Sequence, residues 1–416
     1  MKILFVVEHF PAVSETFVLN QVTGLLDLGH DVTVYSVGRP VADVVHREFA
    51  EYRLAERTWK VSGAPVSKWK RVIRAVGKFP ALVRRCGVRA FAPLNPFRYG
   101  FQVFGLGFLY LCFPFLEHRA EFDMIQCHVG DKGKLALLWR RMGLLSGPIA
   151  TVFHAHELAG LDDSEGPAVF GDLISSNTLL LPISNRWRDR LIRWGADPAI
   201  TVVHHMGVEL QKFPFLPKPE HQVSPVKVLS VGRLTEQKGY ESAIRTLAHL
   251  RATSAKRYEY TIVGSGELET SLRELVNELK LQDVVVFAGP RTQDEVRRYL
   301  ADADVFFLPS VTARNGFQEG IPVALMEAMA CGVPVVSTRH SGIPELVEHG
   351  VSGCLAEEHD ATKLAEFIER IADDEAFSRT LVKNARARIE NGFSMDDLNK
   401  RLEGLFASEI SRVQGK

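Results

Sequence analysis

The sequence predicts an α/β chain built as two doubly wound parallel sheets that face each other. Three observations lead there. Short apolar runs alternate with segments of helical period along nearly the whole chain. That alternation breaks at residues 211–225, where four prolines fall among few periodic apolar positions. It then restarts at residue 227 with the same strand, loop and helix order. A chain of 416 residues has room for two or three domains with cores of their own.

The elements follow in order. Residues 3–7 form a continuous apolar run, as a strand covered on both faces requires. A loop at 9–14 leads to helical period over 15–28, stopped at Gly29, and a second strand at 32–37. This βαβ unit places its first loop at the carboxyl edge of the sheet, where open α/β folds bind ligands. Strands are expected at 122–127, 149–153 and 179–183. Ser184 is the N-cap of a helix over 185–194, and 201–208 closes the half. The second half predicts strands at 227–231, 258–263, 284–288, 305–309, 335–337 and 353–355. Helices are expected at 240–250 and from Glu267 to Lys280. Residues 361–390 read as helical, and a break at Phe393 and Ser394 precedes a last helix over 395–413. Domains are therefore drawn at 1–210 and 211–390, with 391–416 as a terminal helix.

Composition is that of a soluble globular protein, 46% hydrophobic and 24% charged. Basic and acidic side chains both number 50, so net charge points to no polyanionic partner and no nucleic acid is expected. The distribution is uneven: residues 1–205 hold 24 basic against 19 acidic side chains. Between Arg57 and Leu116 there is no acid at all. Lys68, Lys70, Arg71, Arg74, Lys78, Arg84, Arg85, Arg89 and Arg98 alternate there with apolar residues, and 99–116 is almost wholly apolar. Residues 58–116 thus suit an anionic membrane surface, whereas 18 residues with Gln102 and Pro114 make a poor spanning helix. Packed helices with a solvated basic face are the competing reading. Five cysteines without CxxC spacing argue against a disulfide framework or zinc site and fit a reducing cytosol. The amino-terminal apolar run of five residues is too short for a signal sequence.

Chemistry concentrates in residues 315–338, NGFQEGIPVALMEAMACGVPVVST. Glu319 precedes a Gly-Ile-Pro turn and Glu327 stands eight positions on, inside a helical run. Pro322 suits the first turn of that helix and Gly332 its end. A helix start among small residues favours anions, since its free N–H groups and dipole point outward. Arg233 and Lys238 follow the first strand of the second half, a planar fork and a point charge suited to a diphosphate. Gly264, Ser265 and Gly266 form a short turn that is not GxGxxG, so no dinucleotide fingerprint is present. His154, His156 and Glu157 match no zinc spacing, and no metal is expected.

Taken together these segments resemble retaining glycosyltransferases of the GT-B fold, glycosyltransferase family 4, over nearly the whole chain. The E-x7-E signature of Glu319 and Glu327 is the most specific part, and VGRLTEQKGY, IVGSGELE, FAGPRTQDEV and ADVFFLPS sit in the family's order. HFPAVSETFVLNQVTGLLDLGHDV and IQCHVGDKG look like the exopolysaccharide and colanic-acid branch. The resemblance implies two facing Rossmann-like domains with a C-terminal helix crossing back to the first. It implies a UDP- or GDP-linked nucleotide-sugar donor, a lipid-linked saccharide acceptor and no cofactor, with the enzyme peripheral on the inner face of the plasma membrane.

Roles carry over residue by residue. Arg233 and Lys238 would neutralise the donor diphosphate, and the N–H groups of Val323, Ala324 and Leu325, with Gly320 and Ile321 before them, would stabilise the leaving group. Glu327 would accept from the ribose diol, and Glu319 would hold donor-sugar hydroxyls. Gly264 lies on the donor side, and Gly289, Pro290 and Arg291 fall in the base-binding loop. His154 aligns with the first-domain histidine that reaches the sugar, although the usual H-G-x-D is here His154-Ala155-His156-Glu157. Ser14 and Glu15 replace the glycine pair common after the first strand, and with His128 they are assigned to the acceptor side. Two competing functions remain at this level: the same chemistry on a soluble acceptor such as a sugar phosphate, and a nucleotide-sugar-binding scaffold without catalysis.

Overall fold

A computed structural model of the chain describes residues 1–11, 16–38, 47–60, 67–96, 100–118, 121–216 and 225–415. The first sheet contains β1 (Lys2–Val7), β2 (Asp31–Ser36), β3 (Thr58–Lys60), β4 (Met124–His128), β5 (Ile149–Phe153) and β6 (Leu179–Pro182), in the order β3-β2-β1-β4-β5-β6. The second contains β7 (Val226–Val231), β8 (Tyr258–Val263), β9 (Val285–Gly289), β10 (Val305–Leu308), β11 (Val335–Thr338) and β12 (Cys354–Ala356), in the order β12-β11-β10-β7-β8-β9. Neighbouring strands run parallel in both sheets. Every residue of β4, β5, β6, β10 and β11 is buried, as helices on both faces of a parallel sheet demand. Strand order reverses between β1 and β4 and between β7 and β10, so each sheet has a switch point at its carboxyl edge, where ligands bind.

The expected strands are present, with ends shifted by one or two residues. β3 was not foreseen: three residues on a sheet edge are too few for a readable alternation. Residues 201–208, which close the first half, carry two isolated bridges, Leu180 to Thr201 and Val208 to Ser394.

The basic and apolar region divides into two kinds of structure. Helix Lys68–Cys86 lies on the surface, followed by 3₁₀ turns Gly87–Leu94 and Gly100–Gly105 and short helices Gly107–Tyr110 and Pro114–Glu117. Leu109, Tyr110, Cys112, Phe113 and Phe115 are buried against the first sheet. Tyr35 ties this segment down by donating from its hydroxyl to Leu111 O at 2.9 Å. No described helix is long and apolar enough to cross a membrane. Much of 109–115 is core, whereas the outward apolar side chains lie on the helix before it, at Trp69, Ile73 and Val76, and in the turns that follow, at Val88, Phe91 and Phe104.

The final helix, Met395–Gln414, returns to the first sheet's helices. It buries Leu398, Leu402 and Phe406, and Arg412 bonds Asn177 through both its side-chain and backbone oxygens at 3.0 and 2.9 Å. Gly24 lets it approach closely, since a Cβ there would lie 1.9 Å from Asn399 Nδ2.

Candidate active site in the interdomain cleft

On the second domain, the loops after β7, β8, β9 and β10 lie at the carboxyl edge. After β7, Arg233 stands exposed, and a 3₁₀ turn, Glu236–Lys238, carries Lys238 to the start of helix Tyr240–Thr253. Gly239 makes this turn possible: its φ is +71°, and a Cβ would fall 1.8 Å from Pro309 O. After β10, the loop reaches Glu319. Lys238 Nζ meets Glu319 Oε2 at 3.0 Å, with only 16% and 15% of the two side chains exposed. The backbone N–H of Glu319 donates to His340 Nε2 at 3.0 Å. His340 Nδ1 is 2.6 Å from Glu358 Oε1, so His340 carries its proton on Nδ1 and donates it there.

Helix Val323–Cys331 follows, with Pro322 at its N-cap and no side chain capping it. Its first N–H groups, at Val323 and Ala324, thus keep the partial positive charge of an open helix start beside Glu319 and Lys238, while the Leu325 N–H donates to Pro322 O at 3.1 Å. Gly332, at φ +87°, ends the helix. Glu327 is half-buried on that helix, and its carboxylate has no hydrogen bond or ion pair among the described residues. Burial pushes its pKa up to about 7. Pro290 and Arg291 lie exposed beyond β9, with Arg291 3.4 Å from Glu295. Gly264 and Gly266 serve to pack loop on loop. A Cβ on Gly264 would fall 1.9 Å from Gly232 O, and Gly264 N–H donates to Gly289 O at 3.0 Å.

On the first domain, His154 ends β5 and is nearly buried. Its Nε2 is 3.3 Å from Nδ1 of His128, which is buried behind it rather than open to the cleft and lies 3.2 Å from Gln126 Nε2. Burial, with His156 nearby, pushes His154 down to about 3, so it acts as a neutral imidazole. Glu157 accepts from the backbone N–H groups of His154 and Gly130 and so joins the β4 and β5 loops. Among the described residues no group of three His, Cys, Asp or Glu is placed to hold a metal ion. Ser14 and Glu15 lie outside the described residues.

The model of the family described as glycosyl transferases group 1 matches residues 213–388. The colanic acid biosynthesis glycosyltransferase WcaL of Salmonella typhimurium is 38% identical over 411 residues, 97% of this chain and 99% of that protein. The amylovoran biosynthesis glycosyltransferase AmsK of Erwinia amylovora is 40% identical over 408 residues, 95% and 96% of the two chains. The chain belongs to the group 1 glycosyltransferases. The fold agrees. Anabaena HepE, solved with UDP and glucose, superposes with a TM-score of 0.67 at 18% identity over 98% of this chain and all of that one. Sucrose-phosphate synthase from Thermosynechococcus elongatus gives 0.70 at 21% identity over 99% and 100%. The architecture is GT-B.

Two features of this glycosyltransferase's cleft were not legible in the sequence. His156 is exposed, and its pKa is lowered by partial burial and by Arg233 of the second domain. Val129 holds φ +76° between His128 and helix Gly130–Met142, an unusual backbone for a β-branched residue at a candidate site. Neither has a local signature. A groove of about 640 Å³ opens between the domains, lined by Asp162 and Arg190 on one side and Thr312 and Gln318 on the other.

Proposed function

We propose that this glycosyltransferase moves a hexose from a UDP- or GDP-linked sugar to a lipid-linked saccharide during assembly of an exopolysaccharide. Transfer proceeds with retention and without a divalent metal. The observation that carries the reading is the Lys238–Glu319 pair at 3.0 Å, set beside an uncapped helix N-terminus at the carboxyl edge of the second sheet. A cation and the helix start receive the diphosphate, with Arg233 adding a second cation. The carboxylate released from Lys238 then turns to the sugar hydroxyls. Glu327, half-buried and without a partner among the described residues, suits the ribose diol, whose two hydroxyls donate to a carboxylate. His154, neutral, offers a hydrogen bond from the first domain. The acceptor hydroxyl attacks C1 from the face the diphosphate leaves, and the departing phosphate oxygen takes its proton.

The names of the two relatives, glycosyltransferases of colanic acid and amylovoran biosynthesis, support the polysaccharide side of this reading. A membrane-presented acceptor is supported by helix Lys68–Cys86, where Trp69, Ile73 and Val76 are 80%, 69% and 66% exposed at helical spacing. Exposed Lys70, Arg74 and Arg84 lie on the same helix, a combination that fits an anionic bilayer surface at the cytoplasmic face. The test is release of nucleoside diphosphate from UDP- and GDP-sugars in the presence of lipid-linked acceptor. Lys238→Ala and Glu319→Ala are each expected to lower kcat by about 10²–10³, the scale of losing one stabilising group at a transition state. Both proteins should remain folded by circular dichroism. Turnover near that of the wild type in either variant removes the assignment.

A further inference from the structure

The donor loop touches the first domain. A Cβ on Gly320 would lie 2.5 Å from Ile183 Cδ1 and 3.6 Å from Ala155 Cβ, so this loop abuts the residue between His154 and His156. Gly342 makes the companion contact: its Cβ would fall 2.8 Å from Ile321 Cγ1 and 3.1 Å from Ser184 Cβ. Next to these contacts Glu345, from the second domain, crosses to helix Asn185–Arg193 of the first. Its carboxylate accepts from the Asn185 N–H at 2.8 and 2.9 Å, from Asn185 Nδ2 at 2.8 Å and from the Arg186 N–H at 3.4 Å. It also meets His205 Nε2 at 3.0 Å. Ser184 is the helix's own cap, accepting from Trp187 N–H. Glu345 therefore adds a full negative charge to a helix start that is already capped, and does so from another domain. Burial opposes that charge, but hydrogen bonds from His205 and Asn185 outweigh it and hold the carboxyl below its usual range.

A second connection begins at the same helix start. Arg186 Nε donates to Gln318 Oε1 at 3.0 Å, and Gln318 Nε2 donates to Thr312 Oγ1 at 3.2 Å. Thr312 donates to Glu358 from N–H and hydroxyl at 2.8 and 3.2 Å, and Glu358 accepts from His340, whose Nε2 receives the Glu319 N–H. Side-chain bonds thus run without a break from a first-domain helix to the backbone of Glu319.

We propose that Glu345 is a positioning residue that holds the two domains in the register that brings His154 and His156 up to the Glu319 loop. It acts through helix Asn185–Arg193 and does not touch substrate. The inference rests on the reading of the cleft as the donor site.

The experiment compares wild type, Glu345→Ala, Glu345→Gln and Gly342→Ala as full-length proteins. Gly342 has φ −86°, a value any residue adopts, so alanine there strains no backbone and presses on Ser184 of the first domain and on Ile321 of the donor loop. Small-angle X-ray scattering reads the domain arrangement, calorimetry reads UDP and GDP affinity, and nucleotide release from UDP-glucose and GDP-mannose reads kcat and KM. Glu345→Ala and Gly342→Ala are expected to enlarge the radius of gyration and lower kcat about 10- to 100-fold, as a misplacement of order 1 Å does. Nucleotide affinity should stay within about twofold, because the second domain alone holds it. Glu345→Gln, which still accepts from Asn185, should recover part of the loss. Unchanged kcat in both variants, or nucleotide affinity falling in step with activity, overturns the proposal. If the wild type releases nucleotide from neither donor, the functional reading fails instead. Scattering then decides the clasp alone, and unaltered dimensions in both variants overturn it.

Discussion

Glu327 joins stability and function in one side chain. Its pKa is raised from 4.5 to about 7 by burial, so the fold favours the protonated form. The contribution to stability is whole below pH 4.5 and is lost as pH rises through 7. Glu327→Gln removes that dependence. At pH 8 the variant should be more stable than the wild type by about 1–2 kcal/mol, a figure discounted for partial solvent access, and the gap should close below pH 4.5. Denaturant midpoints at the two pH values measure it, and equal gaps at both would contradict the argument. Binding runs the other way. Ribose hydroxyls donate to the ionised carboxylate, so UDP or GDP should bind more tightly as pH rises from 6 to 8, roughly the window around that pKa. The same calorimetric series on Glu327→Gln should be flat.

Single elements answer questions that single residues cannot. In helix Lys68–Cys86, Arg71 donates to Gly105 O, Arg85 to Phe115 O, and Lys78 pairs with Glu117 at 2.7 Å. Those three cations anchor the buried segment behind the helix, which leaves exposed Arg74 and Arg84 as better probes of a lipid surface. Arg74→Ala with Arg84→Ala is expected to weaken binding to vesicles of anionic phospholipid by about 2 kcal/mol, at roughly 1 kcal/mol per basic residue. Trp69→Ala with Ile73→Ala should weaken it further in sedimentation, through lost insertion of the apolar stripe. Vesicle binding indifferent to both pairs favours a soluble acceptor.

At the scale of the whole molecule, the C-terminal helix makes the chain's last residues part of its first domain. Phe406 is fully buried there. Phe406→Ala should cost about 3–5 kcal/mol, as a large core truncation does. The loss should lower the melting temperature of the first domain while nucleoside diphosphate affinity, held by the second, persists. Calorimetric melting beside a UDP and GDP titration separates the two. A parallel loss of nucleotide affinity would mean that the domains are not independent in this respect.

Local pattern in the sequence specifies the two parallel sheets, the carboxyl-edge position of Arg233 and Lys238, and the places of Glu319 and Glu327 before and inside one helix. Apolar runs buried on both faces and helical period are local signals, and strand alternation leaves few topologies. It also placed the helix from Val323 and its glycine stop, because proline and glycine act within one turn. Only the tertiary structure decided the partners. Lys238 and Glu319 lie 81 positions apart, and Glu345 and Asn185 lie 160 apart. Periodicity tells which face of an element is apolar, not what covers it. For the same reason residues 109–115 became core while Trp69, Ile73 and Val76 stayed outside. The contact of buried His128 with His154 and the close approach of Gly264 to Gly232 are likewise set by packing. Each of these depends on the distance between backbones far apart in the chain, a quantity that strand order and domain packing set and that no local pattern carries.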